Sequence, residues 1–322
     1  MVANMKKVLF GAAAIGTAAL GTACTAGALT LFNRVIPRQD VLRVDLNEMA
    51  DMATWEEYKK IITPNKEWLL AQPLEHLTIT SRDGLTLHGD FLPAEYQTNK
   101  LAICGHGYTG CGLKDCAAIS VFFHKMGYNC LIVDHRAHGK SEGDYVGFGI
   151  LDRYDMKAWV DCMERRFEGN AEIVLYGVSM GATIALMTAG LSSLSRCVKA
   201  VIADCAFTSP YDVFAHILKR DYHLPPFPIM NINEAMCRSK AGYGFKDYST
   251  LDAVRSTGIP MLFIHGREDD FVPLWMTEEN YKACRSAKDI LIVDNAAHAA
   301  SYYESKETYE AKVKSFLEKY VG

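Results

Sequence analysis

Charge of one sign is scarce in this sequence of 322 residues: 34 Lys and Arg stand against 38 Asp and Glu, a formal net charge of −4, and no long basic or acidic block occurs. A nucleic-acid partner is therefore disfavoured. Internal repeats are absent, and so are a dinucleotide fingerprint, a Walker-type phosphate loop and a metal-spaced histidine pair, which leads us to expect no cofactor and no metal. The ten cysteines include no CxxC pair; the nearest spacing is Cys111 and Cys116. Cys104, Cys130 and Cys205 lie among apolar residues, where a free thiol packs as a small hydrophobe, so mostly free thiols are expected and zinc has no supporting spacing. With 49% hydrophobic and 22% charged residues, a disordered chain and a multi-span membrane protein are both excluded. One large globular domain with additions fits the length.

Residues 1–7 are a short tail carrying Lys6 and Lys7, and residues 8–32 contain no charge. As a helix that run would reach ~37 Å, enough for a hydrocarbon core of ~30 Å, so a single transmembrane anchor is expected. A cleaved signal peptide beginning at the two lysines is the competing expectation. Lys6 and Lys7 balance Arg34 and Arg38 under the positive-inside rule. The expected location is a membrane-tethered chain with its body exported; secretion after cleavage, or a body facing the cytoplasm, are the alternatives. Residues 33–75 read as a linker with one or two helices, Thr54 and Glu57 forming a capping box and Pro64 interrupting them.

From residue 76 onward the pattern changes. Residues 76–81 and 85–92 alternate around Asp83-Gly84, a hairpin signal. Short apolar runs at 101–104, 129–133, 172–176, 200–203, 261–264 and 290–293 read as strands buried on both faces. Helical stretches at 115–126, 151–168, 181–193, 276–286 and 304–320 separate them, as a mostly parallel, doubly wound α/β sheet of about eight strands requires. The connection 206–256, with Leu224-Pro225-Pro226-Phe227-Pro228, is long enough for a helical cap; an ordinary crossover helix with a long surface loop is the alternative.

Gly177-Val178-Ser179-Met180-Gly181 lies where a strand gives way to a helix. That context makes Ser179 a candidate nucleophile on a strained turn, with the helix N-terminus favouring negative charge nearby. Together with His106-Gly107-Tyr108-Thr109-Gly110, Asp134-His135-Arg136-Ala137-His138-Gly139-Lys140-Ser141 and His265-Gly266-Arg267-Glu268-Asp269-Asp270-Phe271-Val272-Pro273, the motif resembles the α/β-hydrolase superfamily, nearest its serine aminopeptidase-like esterase/lipase branch, over residues 76–320. Ala137 replaces a glycine usual in that family.

The resemblance implies a Ser-His-Asp triad, with an oxyanion hole formed by the backbone N–H groups of Tyr108 and Met180. It puts the acid at Asp269, with Asp270 and Asp204 as remoter alternatives. His298 follows the acid beyond a strand and is the candidate base. His135, His138 and His265 are expected to be structural. Phe207, Tyr211 and Phe214 line an acyl pocket or else pack the cap onto the body. The expected function is serine-dependent hydrolysis of a small-molecule carboxylic ester through an acyl-enzyme, with a peptidase as the alternative and a non-catalytic, membrane-tethered binding protein as the remoter one.

Overall fold

Each central strand sends its odd and even residues into two different apolar layers, and this alternation organises the chain. In β3 (Lys100–Gly105), Leu101 and Ile103 join one buried cluster while Ala102 and Cys104 join another; β5 (Glu172–Val178) divides Ile173 and Leu175 from Val174 and Tyr176 in the same way. Successive side chains of a strand point to opposite faces, so a strand apolar at every position is covered on both. The computed structural model describes residues 25–39 and 52–321.

The remaining strands are β1 (Glu75–Thr80), β2 (Thr86–Leu92), β4 (Asn129–Val133), β6 (Val198–Asp204), β7 (Met261–Gly266) and β8 (Lys288–Val293). They form one sheet in the order β1-β2-β4-β3-β5-β6-β7-β8. β1–β2 and β2–β4 pair antiparallel, and every later pair is parallel. Gly84, at φ +91°, closes the β1–β2 turn. One face is covered by α5 (Asp152–Arg166) and α6 (Met180–Ala189), the other by α4 (Ala117–Lys125) and α11 (Lys306–Tyr320). α6 is buried at every position, as expected for a helix apolar all round.

Three helices fill the long connection: α7 (Pro210–Tyr222), α8 (Ile229–Lys240) and α9 (Thr250–Ser256). α7 packs on α8, whereas α9 packs on α6 and on α10 (Leu274–Ala283). The insertion thus ends in a body helix, and the cap proper is α7 with α8.

The N-terminal expectations need correction. Residues 25–35 form a helix, α1, whose stripe Ala28, Phe32 and Ile36 is buried in the body core while Leu29, Asn33 and Arg34 are exposed. A spacing of four residues makes one face of a helix, so the end of the expected span 8–32 is a docked amphipathic helix. The Val146 N–H donates to the Ile36 carbonyl at 2.8 Å, the Arg38 N–H to the Asp144 carbonyl at 2.7 Å, and the Arg38 guanidinium to the carbonyls of Ser141 and Gly139. Among the described residues no helix is long and apolar enough to cross a membrane; residues 8–24 lie outside them.

α2 (Met52–Leu70) is one helix that runs through Pro64. Pro64 is exposed, so water reaches the backbone groups it leaves unpaired, and Asn65 Nδ2 donates to the Ile61 carbonyl at 2.7 Å. The helix already runs at Met52, so Thr54 is inside it rather than at its cap.

Replacing Phe32 with alanine tests the docking of α1. If the helix belongs to the body, Phe32→Ala costs about 3–5 kcal/mol, read as a lower urea midpoint at unchanged slope. A change below ~0.5 kcal/mol, the scale of a surface substitution, overturns it.

Candidate active site

Ser179 occupies a turn that other residues at 177 and 181 would block. An added Cβ on Gly177 would lie 2.2 Å from the Gly181 carbonyl, and one on Gly181 would lie 2.3 Å from the Gly105 carbonyl. Their absence lets α6 start directly on the strand ends, leaving Ser179 at φ 54°, ψ −115°. A non-glycine residue held there stores strain. The Ser179 N–H donates to the Asp204 carbonyl at 2.7 Å, tying the turn to β6.

Ser179 Oγ lies 2.9 Å from His298 Nε2, and His298 Nδ1 lies 2.7 Å from Asp269 Oδ2. Three side chains from the ends of β5, β7 and β8 therefore form one hydrogen-bonded chain. The other Asp269 oxygen, Oδ1, accepts from the backbone N–H groups of Val272 at 2.8 Å and Phe271 at 3.1 Å. Burial works to raise the Asp269 pKa, but the neighbouring His298 and the hydrogen bonds from His265 and His298 outweigh it and hold the carboxyl well below the usual range.

The alternatives for the acid are turned elsewhere. Asp270 is exposed, and its carbonyl accepts from His216 Nε2 at 2.8 Å and Arg220 Nη1 at 2.7 Å, both on α7. Asp204 accepts from the Tyr309 hydroxyl at 3.1 Å, and burial lifts its carboxyl to about 6. His265 is enclosed, with Nε2 against the Val272 carbonyl and Nδ1 against Thr277 Oγ1, each at 2.8 Å.

The loop after β3 is held by neutral imidazoles. His106 donates from Nδ1 to the Gly107 carbonyl at 2.7 Å and accepts at Nε2 from the His135 N–H at 3.0 Å. Only a neutral ring satisfies both bonds, and burial pushes the pKa of His106 down. The Gly107 carbonyl and the Tyr108 N–H belong to one planar peptide and point opposite ways. By holding the carbonyl, His106 thus fixes the direction of that N–H. His138 does similar work, Nδ1 donating to the Arg136 carbonyl at 2.9 Å and Nε2 accepting from the Thr109 N–H at 3.3 Å. Burial lowers His135 to about 3.

Among the described residues the Tyr108 N–H has no hydrogen-bond partner. Met180 is the first residue of α6, where a backbone N–H has no carbonyl a turn earlier to bond.

Of the three aromatic pocket candidates, Phe214 lies edge-on between Phe148 at 4.8 Å and Phe245 at 5.1 Å, and Phe148 lies 5.3 Å from the Tyr108 ring. Phe207 is buried in the same cluster, whereas Tyr211 is partly exposed with Lys246 Nζ 3.8 Å from its ring centre. Two features escape sequence reasoning. Asp115, at the end of α3 (Gly112–Asp115), is wedged against Gly110 so closely that a Cβ there would lie 1.8 Å from its Oδ2, and burial lifts its carboxyl to about 6. The Tyr108 hydroxyl donates to the Val35 carbonyl at 2.9 Å, joining this loop to α1. Neither residue sits in a motif that marks such a contact.

Two stability measurements follow. Tyr108→Phe deletes the bond to α1 while keeping the backbone amide, and should cost about 1 kcal/mol in urea unfolding; no loss would mean the contact is idle. Asp269 is more acidic folded than unfolded, so its charge stabilises the fold above the usual carboxylate pKa of about 3.9 and that contribution fades as pH falls further. The difference between the native and Asp269→Asn stability profiles should shrink on acidification below pH ~4, and a difference independent of pH would contradict this.

Residues 118–322 match the prolyl oligopeptidase family. The chain is 29% identical to the uncharacterized protein YqkD of Bacillus subtilis over 98% of both chains, and 26% identical to the uncharacterized membrane protein YNL320W of Saccharomyces cerevisiae over 67% of this chain and 69% of that one. Among solved structures, the Pyrococcus furiosus esterase Pf2001 superposes with a TM-score of 0.65 at 24% identity, over 79% of this chain and 94% of that one. The Pyrococcus horikoshii acylaminoacyl peptidase superposes at 0.57 and 19%, over 76% of this chain and 41% of that one. These likenesses carry the α/β-hydrolase fold, and with the family match spanning well over half of its length the chain belongs to the prolyl oligopeptidase family of hydrolases.

Proposed function

We propose that this hydrolase cleaves small-molecule carboxylic esters with Ser179 as nucleophile, His298 as general base and acid, and Asp269 as the group that orients and stabilises the imidazole. The observation that carries the reading is the continuous hydrogen-bonded chain from Ser179 Oγ through both nitrogens of His298 to Asp269 Oδ2. As Oγ bonds to the acyl carbon, its proton passes to His298 Nε2, and Asp269 stabilises the resulting imidazolium. The carbonyl oxygen becomes an oxyanion that accepts from the N–H groups of Tyr108 and Met180, each such donor contributing roughly 2.7–4 kcal/mol in comparable sites.

Collapse of this intermediate breaks the ester C–O bond, and the leaving alkoxide takes the proton from His298. Water then attacks the acyl carbon, giving its proton to His298. The Ser179–acyl bond breaks, and that proton returns to Oγ. The aromatic row from Tyr108 through Phe148 to Phe214 supports an apolar acyl site beside the oxyanion loop, with Phe207 and Tyr211 as its further lining. Peptide-bond cleavage by the same residues is the second reading, favoured by the family to which the chain belongs.

We also infer that residues 8–24 keep the chain at a membrane with its body exported. They are uncharged and meet the lower end of the ~17–25 residues a span requires.

The discriminating experiment is turnover of a chain-length series of p-nitrophenyl esters by the full chain, beside labelling with a fluorophosphonate. Ser179→Ala should abolish both, and Asp269→Asn should lower kcat by about 10⁴-fold, as the corresponding change does in a serine protease. Full turnover by Ser179→Ala would falsify the nucleophile assignment. Labelling of Ser179 without turnover of any ester would transfer the assignment to a peptidase.

A further inference from the structure

Antiparallel pairing of β1 with β2 brings one side chain of β1 against two of β2. His76 is the direct cross-strand partner of Asp90. His88, two residues earlier on β2, shares the Asp90 face because strand side chains repeat every second residue. His76 Nδ1 lies 2.5 Å from Asp90 Oδ1, His88 Nε2 lies 3.7 Å from the same oxygen, and the potential ligand atoms of all three residues lie within 4.8 Å of one another. The His76 side chain is 63% exposed, while those of His88 and Asp90 are 11% and 5% exposed. The group is a pit with two walls inside the protein and one at its mouth.

His88 supplies the second observation. Among the described residues its ring makes no hydrogen bond, and Nδ1 is buried without a partner. Buried imidazole nitrogens are rarely left unpaired, because the lost hydration is not recovered. His88 Nδ1 lies 3.8 Å from Asp134 Oδ2, and Asp134 is itself held by the N–H groups of Gly112 and Lys140. This is the arrangement of a metal-ligating histidine, with one nitrogen on the ion and the other toward a carboxylate that fixes the ring.

We propose that His76, His88 and Asp90 form a binding site for one divalent transition-metal ion of the zinc class. Two imidazole nitrogens and one carboxylate oxygen suit such an ion, and the exposed side at His76 leaves a coordination position for water. Seating an ion at ligand distances of about 2.0–2.2 Å requires His76 Nδ1 and Asp90 Oδ1, now 2.5 Å apart, to separate and the His88 ring to approach. β4 and β3 separate β2 from β5 in the sheet, which at ~4.8 Å per strand puts the ion away from Ser179. Its part is to fasten β1, an edge strand with one neighbour, to β2. The assignment does not rest on the proposed hydrolysis.

The test uses the full chain without an affinity tag, freed of metal by a chelator and titrated calorimetrically with zinc chloride. One Zn²⁺ per chain should bind, and His76→Gln, a change at an exposed position, should weaken binding by at least ~100-fold. Zinc should raise the thermal midpoint of the native chain by mass action and leave that of His76→Gln unmoved. Cobalt(II) should give the intense visible absorption of a four-coordinate site, lost in Asp90→Asn. Absence of saturable binding overturns the proposal. So does binding unaffected by His76→Gln but removed by His298→Ala, which would put the ion on Cys205, Asp269 and His298, another group with ligand atoms within 4.8 Å.

Discussion

The approach of α6 to the ends of β3 and β5 is the constraint from which the site follows. Three backbones meet there at distances that exclude any side chain on Gly177 or Gly181. Because the contact is backbone on backbone, it cannot be relaxed by a rotamer change, and it fixes Ser179 in a conformation the free residue would avoid. α6 is buried along its whole length, so the burial of a complete apolar helix offsets the strain at its first turn. Loss of either glycine would therefore move the helix, and with it the Ser179 hydroxyl, the Met180 amide and the bond from Ser179 to the end of β6.

Around this rigid turn the polar groups are arranged so that few buried charges are needed. His106, His135 and His138 are driven neutral by burial, and the rings of His106 and His138 serve as hydrogen-bond connectors between backbone groups. The buried guanidinium of Arg136 is paired: it contacts Asp155 through two hydrogen bonds and Asp83 through two more. A lone guanidinium at that depth would be costly, whereas a forked pair satisfies its donors. The same principle explains Asp269. Two backbone amides and two histidines surround its carboxylate, so it stays charged in a place where Asp204 and Asp115, with fewer donors, are pushed toward the neutral acid.

Much of this was legible in the sequence wherever the determining interactions are local. The apolar runs that become β3 to β7 are recognisable because both faces are covered; the run at 290–293, expected to be buried on both faces, lies in the edge strand β8 and is only partly buried. The turn at Ser179 is recognisable because close approach leaves glycine as the only choice at 177 and 181. The order Ser179, Asp269, His298 follows from loops at successive strand ends. What was not legible depends on distant partners. An uncharged run rich in Ala, Gly and Thr looks the same whether it faces lipid or, as residues 25–32 do with Ala28 and Phe32, lays a face on a protein core. Pro64 reads as a helix break until the body-facing and water-facing sides of α2 are known. The cluster of His76, His88 and Asp90 has no sequence spacing to betray it, since register across a hairpin creates it.

The proposed participants differ in how they are held, and this bears on where the site can adjust. Ser179 is fixed by the fold itself. The Tyr108 amide is fixed by His106 from one side and, through the Tyr108 hydroxyl, by α1 from the other. His298 and Asp269 sit on loops whose outer neighbours belong to the cap: α7 reaches the Asp270 carbonyl through His216 and Arg220, and Arg220 lies 5.3 Å from the centre of the Phe271 ring, which packs 5.0 Å from His298. A displacement of α7 would act first on the acid and base loops and leave the serine turn untouched. The proposed nucleophile is thus coupled to the sheet and the proposed proton-handling pair to the cap, so variation in α7 would act on the loops of His298 and Asp269 before it reached the strained turn.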